Sequence, residues 1–327
     1  MTPHAHDTRP LTMTPLAWAA LVVVYLVWGS TYLGIEIVIE TIPALVSGGM
    51  RFLVAAALLA AFLAVRHGPG VLRVSRRQLG SAALVGVLLL TGGNGMVAVA
   101  QQHISSGLAA LLVAAVPLWL VMLRTLGGDR PPTATLAGVV TGFAGVALLS
   151  VLSGGEASGS VLGMAVVLFA SLSWAVGSFL AGRLAMPGSS FTASVYEMAA
   201  GGLALLAIGF GRGERVDLTA VSGRSWLALG YLVVFGSLLA FTSYAWLLGN
   251  APLSIVGTYA YVNPAVAVLL GALVLGEAVT WGMLAGGAFI VLGVGIVVST
   301  ESRPRPAALQ RRPDDAPAVE DVALETP

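Results

Sequence analysis

Apolar runs near 20 residues long recur along the chain with only short polar links between them, near 16–35, 44–65, 79–100, 105–124, 134–152, 161–182, 190–210, 225–247, 253–275 and 279–299. At 1.5 Å of rise per helical residue, each run is long enough to cross a hydrocarbon core of about 30 Å. The runs lack the apolar/polar alternation of barrel strands. They therefore read as ten transmembrane helices, the form that satisfies each backbone polar group within its own segment. The first run is too long for a signal-peptide core and no convincing cleavage site follows it, so it is expected to be retained. Residues 1–15, with His4, His6 and Pro10, read as a polar tail. Residues 300–327, rich in Arg and Pro and then acidic, cannot bury a core and read as a disordered tail.

Polar positions inside the runs are grouped. In "VWGSTYLGIE", residues 27–36, Trp28, Thr31, Tyr32 and Glu36 are spaced i, i+3, i+4 and i+8 and share one helical face, with Ser30 between them. Asn94, Ala98 and Gln101 share a face in the third run, and Ser171, Trp174 and Ser178 in the sixth. Tyr259, Tyr261 and Asn263 precede Pro264 in the ninth. One reading makes Trp28, Ser30, Thr31, Tyr32, Asn94, Gln101, Trp174, Ser178, Tyr259 and Asn263 the lining of a central substrate cavity, with rings for contact area and hydroxyls and amides for orientation. The other has Ser and Thr bonding back to their own helices and Trp anchoring the membrane interface. Anchoring needs a position near a helix end, so midspan Trp28, Asn94 and Trp174 favour the cavity.

Residues 16–152 and 161–299 carry the same landmarks in the same order, the mark of an internal repeat. Trp28, Gly29 and Ser30 are echoed by Trp174, Gly177 and Ser178, with a two-residue insertion after the Trp, and Pro117 by Pro264. "GVVTGFAG" at 138–145 answers "GGAFIVLG" at 286–293, so that Gly138 and Gly145 fall on Gly286 and Gly293. Five spans per half is an odd number. Two such halves enter the membrane in opposite directions, related by an axis in its plane, as in secondary transporters that open a central site to either side in turn. Pro117 and Pro264 interrupt helices 4 and 9 at matching depth, as rocking elements or as static packing kinks. Gly138 with Gly142, and Gly282 with Gly286, form small-xxx-small surfaces that favour close helix packing, with dimerisation the weaker option. A monomer or weak homodimer is expected.

Composition agrees with the pattern: 57% of the 327 residues are hydrophobic and 9% charged, against about 25% charged in soluble domains. Mean hydropathy is +0.92. All basic residues are Arg. Arg9, Arg66, Arg73, Arg76, Arg77, Arg124, Arg130, Arg183, Arg303, Arg305, Arg311 and Arg312 fall on the face shared by the termini, against Arg212, Arg215 and Arg224 on the other, which predicts cytoplasmic termini. Arg51 and Glu197 alone are ionisable and deep in a span, where a charge costs between about 2.5 and 17 kcal/mol. The repeat suggests two ion pairs of reversed polarity, Glu36 with Arg51 outside and Arg183 with Glu197 inside, bracing or gating two hairpins. Alternatively Arg51 snorkels to headgroups and Glu197 stays protonated, or Glu197 or Glu36 couples proton movement.

Without Cys there is neither a disulfide framework nor a thiolate metal site. The four His residues are scattered, and no GxxxxGK[ST] or GxSxG occurs, so metal, cofactor, ATP-driven and hydrolytic chemistry are not expected. A membrane-embedded lipid-modifying enzyme would need titratable groups converging at one leaflet, and only Arg51, Glu36 and Glu40 approach that. A non-transporting sensor or scaffold is the other alternative. The expected partners are a small-molecule substrate and the lipid bilayer, not nucleic acid.

"VWGSTYLGIEIVIETIPALVSGGMRFLVAAALLA", the ten-helix count and "LVLGEAVTWGMLAGGAFIVLGVGIVV" at 273–298 together resemble the EamA-domain exporters of the drug/metabolite transporter superfamily, over about residues 16–299. The resemblance implies two EamA units around a central cavity, a bacterial cell (inner) membrane, and export of amino acids, related metabolites or drug-like solutes. It sets Trp28, Gly29 and Ser30 on the family's helix 1 signature, Arg51 on its basic residue in helix 2, and Gly276 with Glu277 on the Gly-Glu before the last helix. The first half departs from this last motif, with "LGGDRPP" at 126–132 where the second has "LGEAVT".

Overall fold

The computed structural model describes residues 13–128, 130–153, 160–251 and 258–301. The chain outside these ranges includes most of both expected tails, Asp129 and the expected start of the ninth run. Among the described residues the fold is helical, without strands. The helices are α1 Pro15–Ile39, α2 Ala44–His67, α3 Arg76–Ala100, α4 Ser106–Leu126, α5 Thr133–Ser153, α6 Val161–Ala181, α7 Ser190–Gly211, α8 Gly223–Tyr244 (helical on to Asn250), α9 Tyr259–Leu275 and α10 Trp281–Glu301. Eight are long and apolar enough to cross a membrane, and Thr133–Leu149 of α5 and Val262–Leu275 of α9 are shorter apolar stretches. Apolar side chains such as Phe62, Val140, Phe169, Leu227 and Leu273 stand exposed around the outside, as a lipid-facing surface requires.

The helix starts follow from sequence. Thr14 and Pro15 open α1, the Thr14 hydroxyl accepting from Ala17 N at 3.1 Å. Ser75 and Gln78 form a reciprocal capping box at α3, and Ser105, Ser160 and Ser222 cap α4, α6 and α8. Gly276, at φ 69° in the left-handed region, ends α9 where a Cβ would be strained.

Three departures from plain α-helix were not expected. Val87–Gly95 in α3, Leu232–Leu239 in α8 and Gly271–Leu275 in α9 are π-helical, and the first two occupy comparable places in the two halves. Pro117 does interrupt α4: the helix breaks at Ala114–Ala115 and restarts at Val116, with Pro117 in the restarted first turn, where a missing N–H is harmless. Pro264 instead lies inside the Tyr259–Leu270 segment, which runs through it without a break.

Packing joins the halves. α5 lies along α10, α2 along α7, α1 against α8 and α9, and α6 against α3 and α4. At the α5–α10 seam, a Cβ built on Gly138 would lie 2.9 Å from the Gly293 carbonyl oxygen, and one on Gly145 would lie 2.9 Å from that of Gly286. Partner numbers fall along α10 as they rise along α5, so the two helices are antiparallel. Leu112, Leu118, Leu149 and Ile290 fill the core beside this seam, and Phe52, Leu59, Leu90, Met198 and Leu205 fill the core between α2, α3 and α7.

Candidate functional site

Between those two cores lies a cavity walled by both halves, holding about 970 Å³ of empty space with the solvent at its mouth included. Of the ten residues expected in its wall, seven line it: Trp28, Thr31 and Tyr32 from α1, Asn94 from α3, Trp174 from α6, and Tyr259 and Asn263 from α9. Trp28 and Trp174, matched landmarks of the two halves, meet edge to face with ring centroids 6.3 Å apart. Trp28 also contacts Tyr244 at 4.9 Å and Tyr259 at 5.4 Å. The Asn263 amide, turned to donate, reaches the carbonyls of Tyr25 and Tyr259 at 3.2 Å each. Thr31 lines the cavity and still donates to its own helix at Trp28 O, 2.6 Å away. The Tyr261 side chain lies outside what the structure describes.

Three expected residues face elsewhere. Ser30 donates to Val27 O and meets the Tyr231 hydroxyl on α8 at 2.5 Å. Ser178 bonds back to Trp174 O at 2.9 Å. Gln101 sits seven residues beyond Asn94, about 10 Å along the helix. There its amide donates to Tyr32 O at 2.9 Å and to Glu36 Oε2 at 3.0 Å.

The two expected ion pairs do not form. Arg51, only 4% exposed, lines the cavity. Its Nε donates to Ser237 Oγ at 2.9 Å and its Nη1 to Asn94 Oδ1 at 3.2 Å, so it is not paired with Glu36. Both acceptors sit on the π-helical stretches of α8 and α3. Arg183 donates to Phe179 O at 3.1 Å with its guanidinium 3.5 Å from the Phe179 ring centroid, rather than reaching Glu197. Glu197 is buried where α7 crosses α3 at Gly86, and its carboxylate makes no hydrogen bond or ion pair among the described residues.

Sequence reasoning missed other parts. Ser237 is the one polar side chain in "LVVFGSLLAF" at 232–241, a signal that could have been used. Ser171, which the sequence placed on one face with Trp174 without counting it among the lining residues, also lines the cavity and accepts from Trp119 Nε1 at 2.9 Å. Glu277 accepts from Ser106 N at 2.9 Å and Gly107 N at 3.2 Å, fastening the α9–α10 link to the start of α4. Its oxygens meet backbone donors at the positive end of a helix, where a carboxylate is favoured. Among the described residues no group of three or more His, Cys, Asp or Glu is placed to hold a metal ion.

A bundle of apolar helices around a cavity lined by aromatic rings, hydroxyls, two amides and one cation defines an integral membrane protein with an internal cavity. The chain belongs to the EamA-like transporter family, within the drug/metabolite transporter superfamily: the family model matches it twice, at residues 15–151 and 161–299. It is similar to the inner membrane transporter YedA of Escherichia coli K12, at 39% identity over 94% of this chain and 97% of that one. The transporter YvbV of Bacillus subtilis is 26% identical over 91% of this chain and 95% of its own length. A chloroplastic WAT1-related protein of Arabidopsis thaliana is 26% identical over 87% of this chain and 70% of its own. A solved crystal structure with 19% identity superposes at a TM-score of 0.60, covering 88% of this chain and 98% of that one. At that identity the likeness speaks for the fold.

Proposed function

We propose that this chain is a secondary transporter that exports small metabolites, amino acids or related compounds, or drug-like solutes, by alternating access through the central cavity. In this reading ten helices form two inverted five-helix units, residues 16–152 and 161–299, in a bacterial inner membrane with both termini cytoplasmic. The observation that carries it is the symmetry of the contacts between the two halves. Exchanging the halves turns the Gly138–Gly293 contact into the Gly286–Gly145 contact, and both occur in an antiparallel seam. It turns the packing of α1 on α8 and α9 into that of α6 on α3 and α4, which also occurs. Antiparallel packing of matched helices supports an axis perpendicular to them, in the membrane plane. A structure that packs in two such equivalent ways can exchange which end of its cavity is open.

The test is counterflow of labelled amino acids, purines and cationic drugs in proteoliposomes holding the purified chain, with and without a pH gradient. Accumulation of at least one solute against protein-free vesicles is expected, and Trp28→Ala is expected to lower it. No accumulation of any solute, with the protein folded and inserted, would leave a sensor or scaffold as the better reading.

A further inference from the structure

We infer that Arg51 is the anion-binding group of the cavity and that the cargo carries a carboxylate, an inference that rests on the reading of the cavity as the solute path. A guanidinium has five N–H donors. One is taken by Ser237 and one by Asn94, so three of the five have no hydrogen-bond partner among the described residues. The group is nonetheless buried, at 4% exposure, and forms part of the cavity wall. It lies eight residues into α2, roughly 10 Å from the start of that helix at 1.5 Å per residue.

Ser237 and Asn94 are neutral. They hold the guanidinium in one orientation, with its central carbon 4.8 Å from the Phe52 ring centroid, and supply no counterion. The described residues lining the cavity include no Asp or Glu, and Glu36 is engaged by Gln101 outside that lining. A buried cation without a counterion is unfavourable unless something neutralises it. A carboxylate does so with two parallel N–H···O bonds, the geometry for which a guanidinium is suited and an ammonium is not. One positive charge matches one negative charge. A dianionic phosphate would leave an excess negative charge with no second cation in the wall, and a purely cationic solute would meet a like charge and no acid. The rings of Trp28, Trp174, Tyr259 and Phe52 then receive the less polar remainder of the solute.

The experiment compares carboxylates of increasing size, from lactate through leucine and phenylalanine to tryptophan, each beside its own amide, on the full chain in neutral-lipid proteoliposomes. Counterflow reads flux, and for the lactate, leucine and phenylalanine pairs a shift in tryptophan emission reads binding independently. In the wild type at least one acid is expected to bind and exchange at least tenfold better than its amide. Arg51→Gln is expected to reduce that preference to below twofold, and Arg51→Lys to retain part of it. The inference is overturned if wild-type protein takes amides as well as acids, if it binds none of the acids, or if Arg51→Gln weakens acid and amide equally, as a purely structural bridge between α3 and α8 would. The wild-type acid-to-amide ratio needs no variant, so it decides the matter even if Arg51→Gln does not fold. Arg51-dependent binding of an acid without flux would sink the transport reading and spare this one. Flux of neutral or cationic solutes with no preference for carboxylate would do the reverse.

Discussion

The α5–α10 seam and the cavity wall both join one half of the molecule to the other, but from opposite materials. The seam brings backbone against backbone, with Gly138, Gly142 and Gly145 facing Gly286 and Gly293 so closely that even a methyl group has no room. Such contacts gain from dispersion over many atoms and tolerate little displacement. The wall is made of rings, two amides, hydroxyls and π-helical turns, tied by single hydrogen bonds between named partners such as Arg51 with Ser237 and Trp119 with Ser171. A single hydrogen bond can be exchanged for one to water or to a solute with little net change. Interlocked backbone cannot. The seam is therefore the expected fixed pivot, and the wall the part that rearranges.

The largest effect should come from breaking the seam. A Cβ on Gly293 would lie 2.5 Å from Gly142 Cα and 2.6 Å from Gly138 O, whereas one on Gly295, two residues on, meets nothing within 4 Å. Gly293→Ala is expected to destabilise the protein by about 3 kcal/mol, the upper range for overpacking, and Gly295→Ala by less than about 0.5 kcal/mol. Melting in detergent, followed by loss of the monodisperse peak, reads both. Equal melting temperatures for the two variants would mean that the seam is looser than described. In the wall, Trp28→Ala should act on transport more than on stability. It removes ring contacts to Trp174, Tyr244 and Tyr259, and counterflow should fall about tenfold, equivalent to about 1.4 kcal/mol. Trp28→Phe should recover part of this. A Trp28→Ala protein that melts early but exchanges solute normally would place the ring in a structural role.

The seam was far more legible in the sequence than the wall. Gly138, Gly145, Gly286 and Gly293 were visible as a repeated spacing because close packing selects for the absence of a side chain, which a sequence records directly. Trp28, Asn94 and Trp174 were found because rings and amides at midspan have few other uses. Ser30 and Ser178 were assigned to the wall wrongly, since spacing locates a helical face only to within a residue and a hydroxyl can satisfy itself on its own helix. The expected partners of Arg51 and Glu197 failed for a different reason. Pairing by charge ignores neutral acceptors, and Ser237 and Asn94 reach Arg51 from π-helical turns that 3.6-residue periodicity does not predict. The serines that cap α3, α4, α6 and α8 stand in the sequence too, but apolar run length alone did not single them out.

Two closures at the ends of the helices extend the comparison to smaller effects. Glu277 joins the α9–α10 link to the first turn of α4 through two backbone donors. Glu277→Gln keeps a carbonyl acceptor but loses the charge at the helix start, so a loss of about 1 kcal/mol in stability is expected. A melting temperature unchanged by this substitution would mean that the link is held by the backbone turn at Gly276 alone.

Glu40 and Arg224 make the last and weakest contrast. Their side chains form an ion pair at 3.3 Å between the end of α1 and the start of α8, with 40% and 53% of their surface exposed respectively. Solvent screens such a pair, and two long side chains lose freedom in making it, so Glu40→Ala is expected to change stability by less than about 0.5 kcal/mol. Its residual effect should disappear in high salt, where surface charges are screened beyond a few ångströms. The neighbouring contact of Thr41 with Ser225, at 2.8 Å, spans the same two helices through neutral hydroxyls and is salt-insensitive by the same reasoning. A Glu40→Ala protein that melts several degrees lower, at every salt concentration, would show that this end of the molecule is braced by charge after all. It would shift the fixed part of the fold from the α5–α10 seam towards the outer ends of α1 and α8.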